Sequence, residues 1–189
     1  MINDALLSPR SIVVVGGSDN VTKPGGKIVR NILDGGYDGD LYVINPGSST
    51  VQGVASYTSV EELPDDVDLA ILAVAARFCP KFVEDLGKHK SVKAFIVISA
   101  GFSEEGHEGA DLENALRTAA DKVGASLVGP NCIGVITPRY NGVFTAPVPK
   151  LNPNGCDFVS GGAGKRDRPR RPLYYGNAGR HQNTGDSGD

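Results

Sequence analysis

Short, uncharged apolar runs recur along this chain, and the intervals between them are long enough for one helix each. The first run, Ser11-Ile-Val-Val-Val15, is β-branched after its serine and carries no charge. A strand wetted on one side alternates apolar and polar residues, and this one does not, so both of its faces should be covered. Further strands are expected at residues 40–46, 67–74, 92–98 and 126–128, with a last one beginning at 157–160. Helical spacing places Ile28, Ile32 and Leu33 on the inner face of residues 27–33, and Phe82, Val83 and Leu86 on that of residues 78–86. Leu112, Leu116, Ala119 and Val123 do the same for a long helix over about 108–123. Residues 58–63 read as a short helix capped by Ser59, and residues 51–57 as a minor extended piece.

Strands that alternate with helices and are apolar on both faces point to one α/β domain, a Rossmann-like, doubly wound parallel sheet with right-handed crossovers. Ligands of such sheets lie beyond the carboxyl ends of the strands. The loops at that edge are residues 16–26, 45–47, 74–78, 99–103 and 129–134, all bearing glycine, serine, asparagine or small apolar residues. In the first, Gly16-Gly17 follows the strand and Gly25-Gly26 precedes the helix. Strand, glycine-bearing loop and helix start together present N–H groups and a positive dipole end to an anion, most often a phosphate. A plain strand-to-helix turn is the alternative. The dinucleotide fingerprint G-x-G-x-x-G does not occur, and the second strand ends at Asn45 where dinucleotide enzymes often carry an acid for the ribose.

Composition narrows the class. The chain has 189 residues, 40% apolar and 22% charged, with 25 Gly and no Trp, which suits a turn-rich soluble α/β domain. No apolar run reaches the roughly 18 residues of a membrane span, and Met-Ile-Asn-Asp-Ala is not the start of a signal peptide. Cys79, Cys132 and Cys156 are odd in number and widely spaced, so reduced thiols of a cytoplasmic protein are expected. Residues 1–160 hold 13 Lys+Arg against 19 Asp+Glu, a net charge of −6, and residues 161–189 hold 6 against 3, a net +3. An acidic body argues against nucleic acid as a partner.

Gly129-Pro-Asn-Cys-Ile-Gly-Val-Ile-Thr-Pro138, Val97-Ile-Ser-Ala-Gly-Phe-Ser-Glu-Glu-Gly106, Val43-Ile-Asn-Pro46 and the opening Val15-Gly-Gly-Ser-Asp-Asn20 occur in the chain in the reverse of this order. Together they resemble the CoA-binding domain of the NDP-forming acyl-CoA synthetases, which include the succinyl-CoA synthetase α subunit. The second motif is nearer the acetyl-CoA branch. The resemblance covers about residues 8–160 and implies coenzyme A as the ligand. It implies that Gly17, Ser18, Asp19 and Asn20 wrap CoA, with Lys23 near a phosphate, and that Asn45 and Pro46 flank the adenosine. Val74, Ala75 and Ala76, with Ser99, Ala100 and Gly101, would line the pantetheine path, and Asn131 and Cys132 would meet the thiol end. The family joins a carboxylic acid to CoA through an acyl phosphate and a phosphohistidine carried by a second domain. The nucleotide sits in a separate ATP-grasp module, which the resemblance implies would be a partner subunit. This chain is expected to be inactive alone.

Single residues carry less. His89, His107 and His181 lack an evident partner and read as solvated, and Cys132, with no cation or histidine beside it in sequence, reads as a lining residue. Glu104 and Glu105 are expected to complement the long helix's N-terminus. From Gly161 the chain becomes Gly- and Arg-rich with no Val, Ile, Phe or Met. That segment is expected to be a disordered basic tail or the product of a frame shift near Ser160. Two rival functions stay open: an NAD(P)-binding Rossmann domain, and a stand-alone CoA-sensing module.

Overall fold

The computed structural model describes residues 2–148 and, for the backbone, residues 158–160. A one-turn helix α1 (Asp4–Leu7) is capped by Asn3 and leads into strand β1 (Ser11–Val15). Helix α2 (Pro24–Asp34), strand β2 (Asp40–Ile44), a hairpin of β3 (Thr50–Val51) and β4 (Val54–Tyr57), and strand β5 (Leu69–Leu72) follow. A 3-10 turn at Ala76–Phe78 runs into helix α3 (Cys79–His89) and then strand β6 (Ala94–Val97). After a second 3-10 turn at Ser103–Glu105 come helix α4 (His107–Lys122) and strand β7 (Ser126–Val128). Strands β8 (Gly134–Ile136), β9 (Asn141–Val143) and β10 (Phe158–Ser160) complete the described residues.

Seven strands form one sheet in the order β3-β4-β2-β1-β5-β6-β7. β3 pairs antiparallel with β4, and every other neighbouring pair is parallel. The order reverses between β1 and β5, the switch point at which open α/β sheets bind ligands. The uncharged run of β1 is the reason it sits centrally. Val13 and Val15 enter the core under α3 and α4 with Phe95 and Leu116. Ile12 and Val14 enter the opposite core with Ile28, Val29, Ile32 and Tyr140. All four are essentially inaccessible, and burying each such side chain is worth about 1.5–3 kcal/mol. Ser11, the strand's polar residue, is satisfied at the edge: its Oγ donates to Asp66 O (3.1 Å) and accepts from the Asp68 N–H (3.0 Å).

A second, antiparallel sheet in the order β10-β8-β9 lies on the α2 side. Asn31 of α2 donates through Nδ2 to Val143 O (2.6 Å) and Thr145 O (3.0 Å), and the buried Tyr140 hydroxyl donates to Leu6 O (2.7 Å). The strand expected at residues 157–160 is therefore real but belongs to this smaller sheet. The Gly- and Arg-rich segment from Gly161 lies outside the described residues.

Three local expectations change. Helix α2 begins at Pro24, so that Gly25, Ile28, Val29 and Ile32 form its buried stripe, and Leu33 is left 39% exposed instead of facing inward. Residues 58–63 form turns, not a helix. Both the Thr58 N–H and its Oγ1 bind the Glu62 carboxylate (2.9 and 2.8 Å), and Pro64 follows before a second turn can form. Residues 51–57 are not one extended piece, because Gln52 and Gly53 both adopt positive φ and fold it into the β3–β4 hairpin.

Candidate functional site

Parallel pairing brings the loops after β2, β1, β5, β6 and β7 to one edge of the sheet. Hydrogen bonds then tie each loop to its neighbour. Gly16 N–H donates to Ile44 O (2.9 Å), Ala73 N–H to Val15 O (2.9 Å), Ile98 N–H to Leu72 O (3.0 Å), and Asn131 N–H to Ser99 O (2.9 Å). Ser99 Oγ donates to Val74 O (2.5 Å), and Asn45 Nδ2 to Gly17 O (2.9 Å). All fifteen residues picked from the sequence, from Gly17 to Cys132, thus lie along one rim. Their roles within it differ.

The loop after β1 is built from short polar turns. Ser18 Oγ accepts the Asn20 N–H (3.1 Å), and Asn20 Oδ1 accepts from both the N–H and the hydroxyl of Thr22 (2.9 and 2.7 Å). Its glycines serve close backbone approach more than openness. A Cβ at Gly25 would lie 2.1 Å from Gly16 O, and one at Gly26 would lie 2.2 Å from Asn20 O. Gly16 itself has φ +84° and would press a side chain onto Ala73 O. Seating the first turn of α2 against the loop in this way leaves its donors in place. Lys23 occupies the N-cap position without a capping side-chain bond, Pro24 has no N–H, and the first helical bond is Lys27 N–H to Lys23 O (3.0 Å). The N–H groups of Gly25 and Gly26 therefore have no hydrogen-bond partner among the described residues.

Charge at the rim is sparse. Lys23 and Arg77 are exposed, and the Arg77 guanidinium stacks 4.5 Å over the ring of Phe78. The Asp19 carboxylate accepts the Gln52 N–H (2.6 Å). Glu104 does not sit on the N-terminus of α4. It accepts the Gly101 N–H (2.7 Å); burial works against its charged form, but that bond and other backbone donors hold its pKa below the usual carboxylate range.

The cysteines at the rim are packing residues. Cys132 is 3% exposed, its Sγ donates to Val97 O (3.3 Å), and burial pushes its pKa up to about 11. A neutral, enclosed thiol is a wall and not a nucleophile. Cys79 lies under the loop with Sγ 3.7 Å from Ser99 Oγ, and burial raises its pKa as well. His89 ends α3 and His107 begins α4, both exposed. A depression of about 500 Å³ lined by Arg10, Asp38, Asp40 and Arg139 lies at the opposite edge, before the strands begin, and takes no part in this rim.

Sequence reasoning missed Gln52. Its Nε2 donates to Ser18 O and Gly26 O, each at 2.8 Å, bridging the loop from the neighbouring hairpin. The available signal was the Gln52-Gly53 pair between two short extended pieces, a hairpin-turn pattern.

The family model for the CoA binding domain matches residues 10–138. The chain belongs to this family of CoA-binding domains. It is 40% identical over 149 residues to the ADP-forming acetate–CoA ligase I of Archaeoglobus fulgidus, covering 78% of this chain and 21% of that protein. To the α subunit of the Pyrococcus furiosus ADP-forming acetate–CoA ligase I it is 40% identical over 147 residues, 75% of this chain and 32% of the relative. Among solved structures, the dinucleotide-forming acetyl-CoA synthetase 1 of Ca. Korarchaeum cryptofilum, in complex with phosphate and ADP, aligns with a TM-score of 0.71 at 36% identity. That alignment covers 79% of this chain and 31% of the other. The CoA-binding domain thus spans between a fifth and a third of these relatives.

Coenzyme A suits the rim physically. It carries three phosphates that seek N–H donors and cations, and an apolar arm that needs small, uncharged walls. Gly25 and Gly26 leave N–H donors beside the exposed Lys23, and Val74, Ala75, Ala100 and Gly101 are small, uncharged and at least partly exposed on the same rim, whereas Ala76 is packed into the core. No helix among the described residues is long and apolar enough to cross a membrane.

Proposed function

We propose that this domain holds CoA along the rim, as the CoA-binding part of an NDP-forming acyl-CoA synthetase of the acetyl-CoA branch. The observation that carries the reading is the first turn of α2, uncapped and packed through Gly25 and Gly26 onto the loop after β1. Its N–H groups and Lys23 bind phosphate, Gly17, Ser18, Asp19 and Asn20 surround it, and Asn45 and Pro46 flank the adenosine. Val74 and Ala75 line the pantetheine arm with Ser99, Ala100 and Gly101, and Asn131 and Cys132 bound the thiol end. CoA supplies the thiol that accepts the acyl group; the domain's own residues bind it, orient it and shield the arm from water.

On this reading residues 1–160 are the domain, and residues 161–189 are a basic tail or the product of a frame shift. The acid–thiol ligation itself then rests on a phosphohistidine domain and an ATP-grasp partner, working with this domain in the cytoplasm. Isothermal titration with CoA, dephospho-CoA and NAD tests the binding step. CoA should bind, dephospho-CoA more weakly, and NAD not at all. Preference for NAD would overturn the proposal in favour of a redox-type Rossmann domain, against which the absent acid at Asn45 already speaks.

A further inference from the structure

Gln52 is the first residue of the two-residue turn between β3 and β4, and its backbone is left-handed, with φ +50°. Residues with a Cβ avoid that region unless other contacts hold them there. Three contacts do so here. The Gln52 N–H donates to Asp19 Oδ1 at 2.6 Å, and its Nε2 donates to Ser18 O and to Gly26 O, both at 2.8 Å. Both amide hydrogens meet carbonyl oxygens, so the orientation of the side chain is fixed by its partners. One residue of a neighbouring hairpin thereby grips the loop at its start, Ser18 and Asp19, and again inside the first turn of α2.

We propose that Gln52 is a positioning residue for CoA, an inference that rests on the reading of the rim given above. By closing residues 18–26 into a hydrogen-bonded ring, it fixes the direction of the Gly25 and Gly26 N–H groups before the phosphate arrives. It also meets the charge of Asp19, the one acidic side chain of that loop, with a protein donor. Without the clamp, the loop must be ordered during binding, and affinity falls by that ordering.

The test uses the full 189-residue chain. Gln52→Gly keeps a residue suited to positive φ and deletes only the amide. Losing two side-chain hydrogen bonds should lower its melting temperature without CoA by about a few degrees, and CoA should bind about 10- to 100-fold more weakly because the loop must then be ordered during binding. Gln52→Glu places a carboxylate against two carbonyls at neutral pH but regains one donor when protonated. Measured against the wild type at each pH, its CoA affinity should recover several-fold as the pH falls toward about 5. Wild-type affinity in Gln52→Gly, or no recovery in Gln52→Glu, overturns the inference while leaving the rim as the CoA site. A wild-type chain that binds no CoA would instead overturn the reading of the rim and this inference with it.

Discussion

The carboxamide of Asn45 donates through Nδ2 to Gly17 O at 2.9 Å, while its Oδ1 accepts the Gly47 N–H at 2.9 Å. The residue that follows β2 therefore spends both ends of its side chain on the protein, stapling the first rim loop to the second. Asn45→Asp sets a carboxylate oxygen against the Gly17 carbonyl and should destabilise the domain by about 1–3 kcal/mol in urea titration. It should weaken CoA and confer no affinity for NAD, although an acid at this strand end is what ribose recognition uses elsewhere.

Lys23 gives a contrasting expectation. Its side chain is exposed and, among the described residues, forms no ion pair, so Lys23→Ala should leave the melting temperature unchanged. Loss of a charge-assisted contact should nonetheless weaken CoA by about 1–2 kcal/mol. Unaltered affinity in calorimetry would assign Lys23 to solvent.

Glycine substitutions separate crowding from backbone preference. Gly36 has φ +71° with open space around it, so Gly36→Ala should cost about 1 kcal/mol. Gly25→Ala forces a methyl group to within 2.1 Å of Gly16 O and should cost about 2 kcal/mol or more, with loss of CoA binding. Denaturant midpoints of the two variants, compared with the wild type, decide whether the second pair of glycines is there for packing.

Cys132 makes stability depend on alkaline pH. A thiol whose pKa rises on folding holds its proton more tightly in the native state. Its contribution is intact below about pH 9 and is lost as the pH climbs through about 11. A shift of that size corresponds to about 2–3 kcal/mol. Burial raises Tyr37 and Tyr42 too, so the comparison is with Cys132→Ala, whose stability should fall less steeply across this window. The native wild-type thiol should also resist alkylation at pH 8.

The sheet was legible because β5 and β6 are apolar through their whole length and β1 is apolar after Ser11, and such a pattern fits few environments other than a doubly covered interior. The rim followed from strand direction alone. What stayed hidden depends on side-chain contacts that periodicity does not register, some local and some between segments far apart in sequence. Nothing in Thr58-Ser-Val-Glu-Glu-Leu63 announces that Glu62 will bind back to Thr58 in an isolated turn. The inward turn of Val29 in place of Leu33 followed from where α2 begins, and that start is set by Gly25 seating on Gly16. Asn45 was visible as a rim residue, but its inward-facing amide was not. Gln52 could be placed on a turn, yet its reach to Ser18 and Gly26 exists only once the hairpin lies beside β2.

The contact between Gly16 and Gly25 is main chain against the space where a side chain would stand. An enlarged residue at position 25 consequently has no suppressor at position 16, since trimming a neighbour works only when the neighbour has something to trim. Genetic repair of such a lesion must move the whole helix or fail.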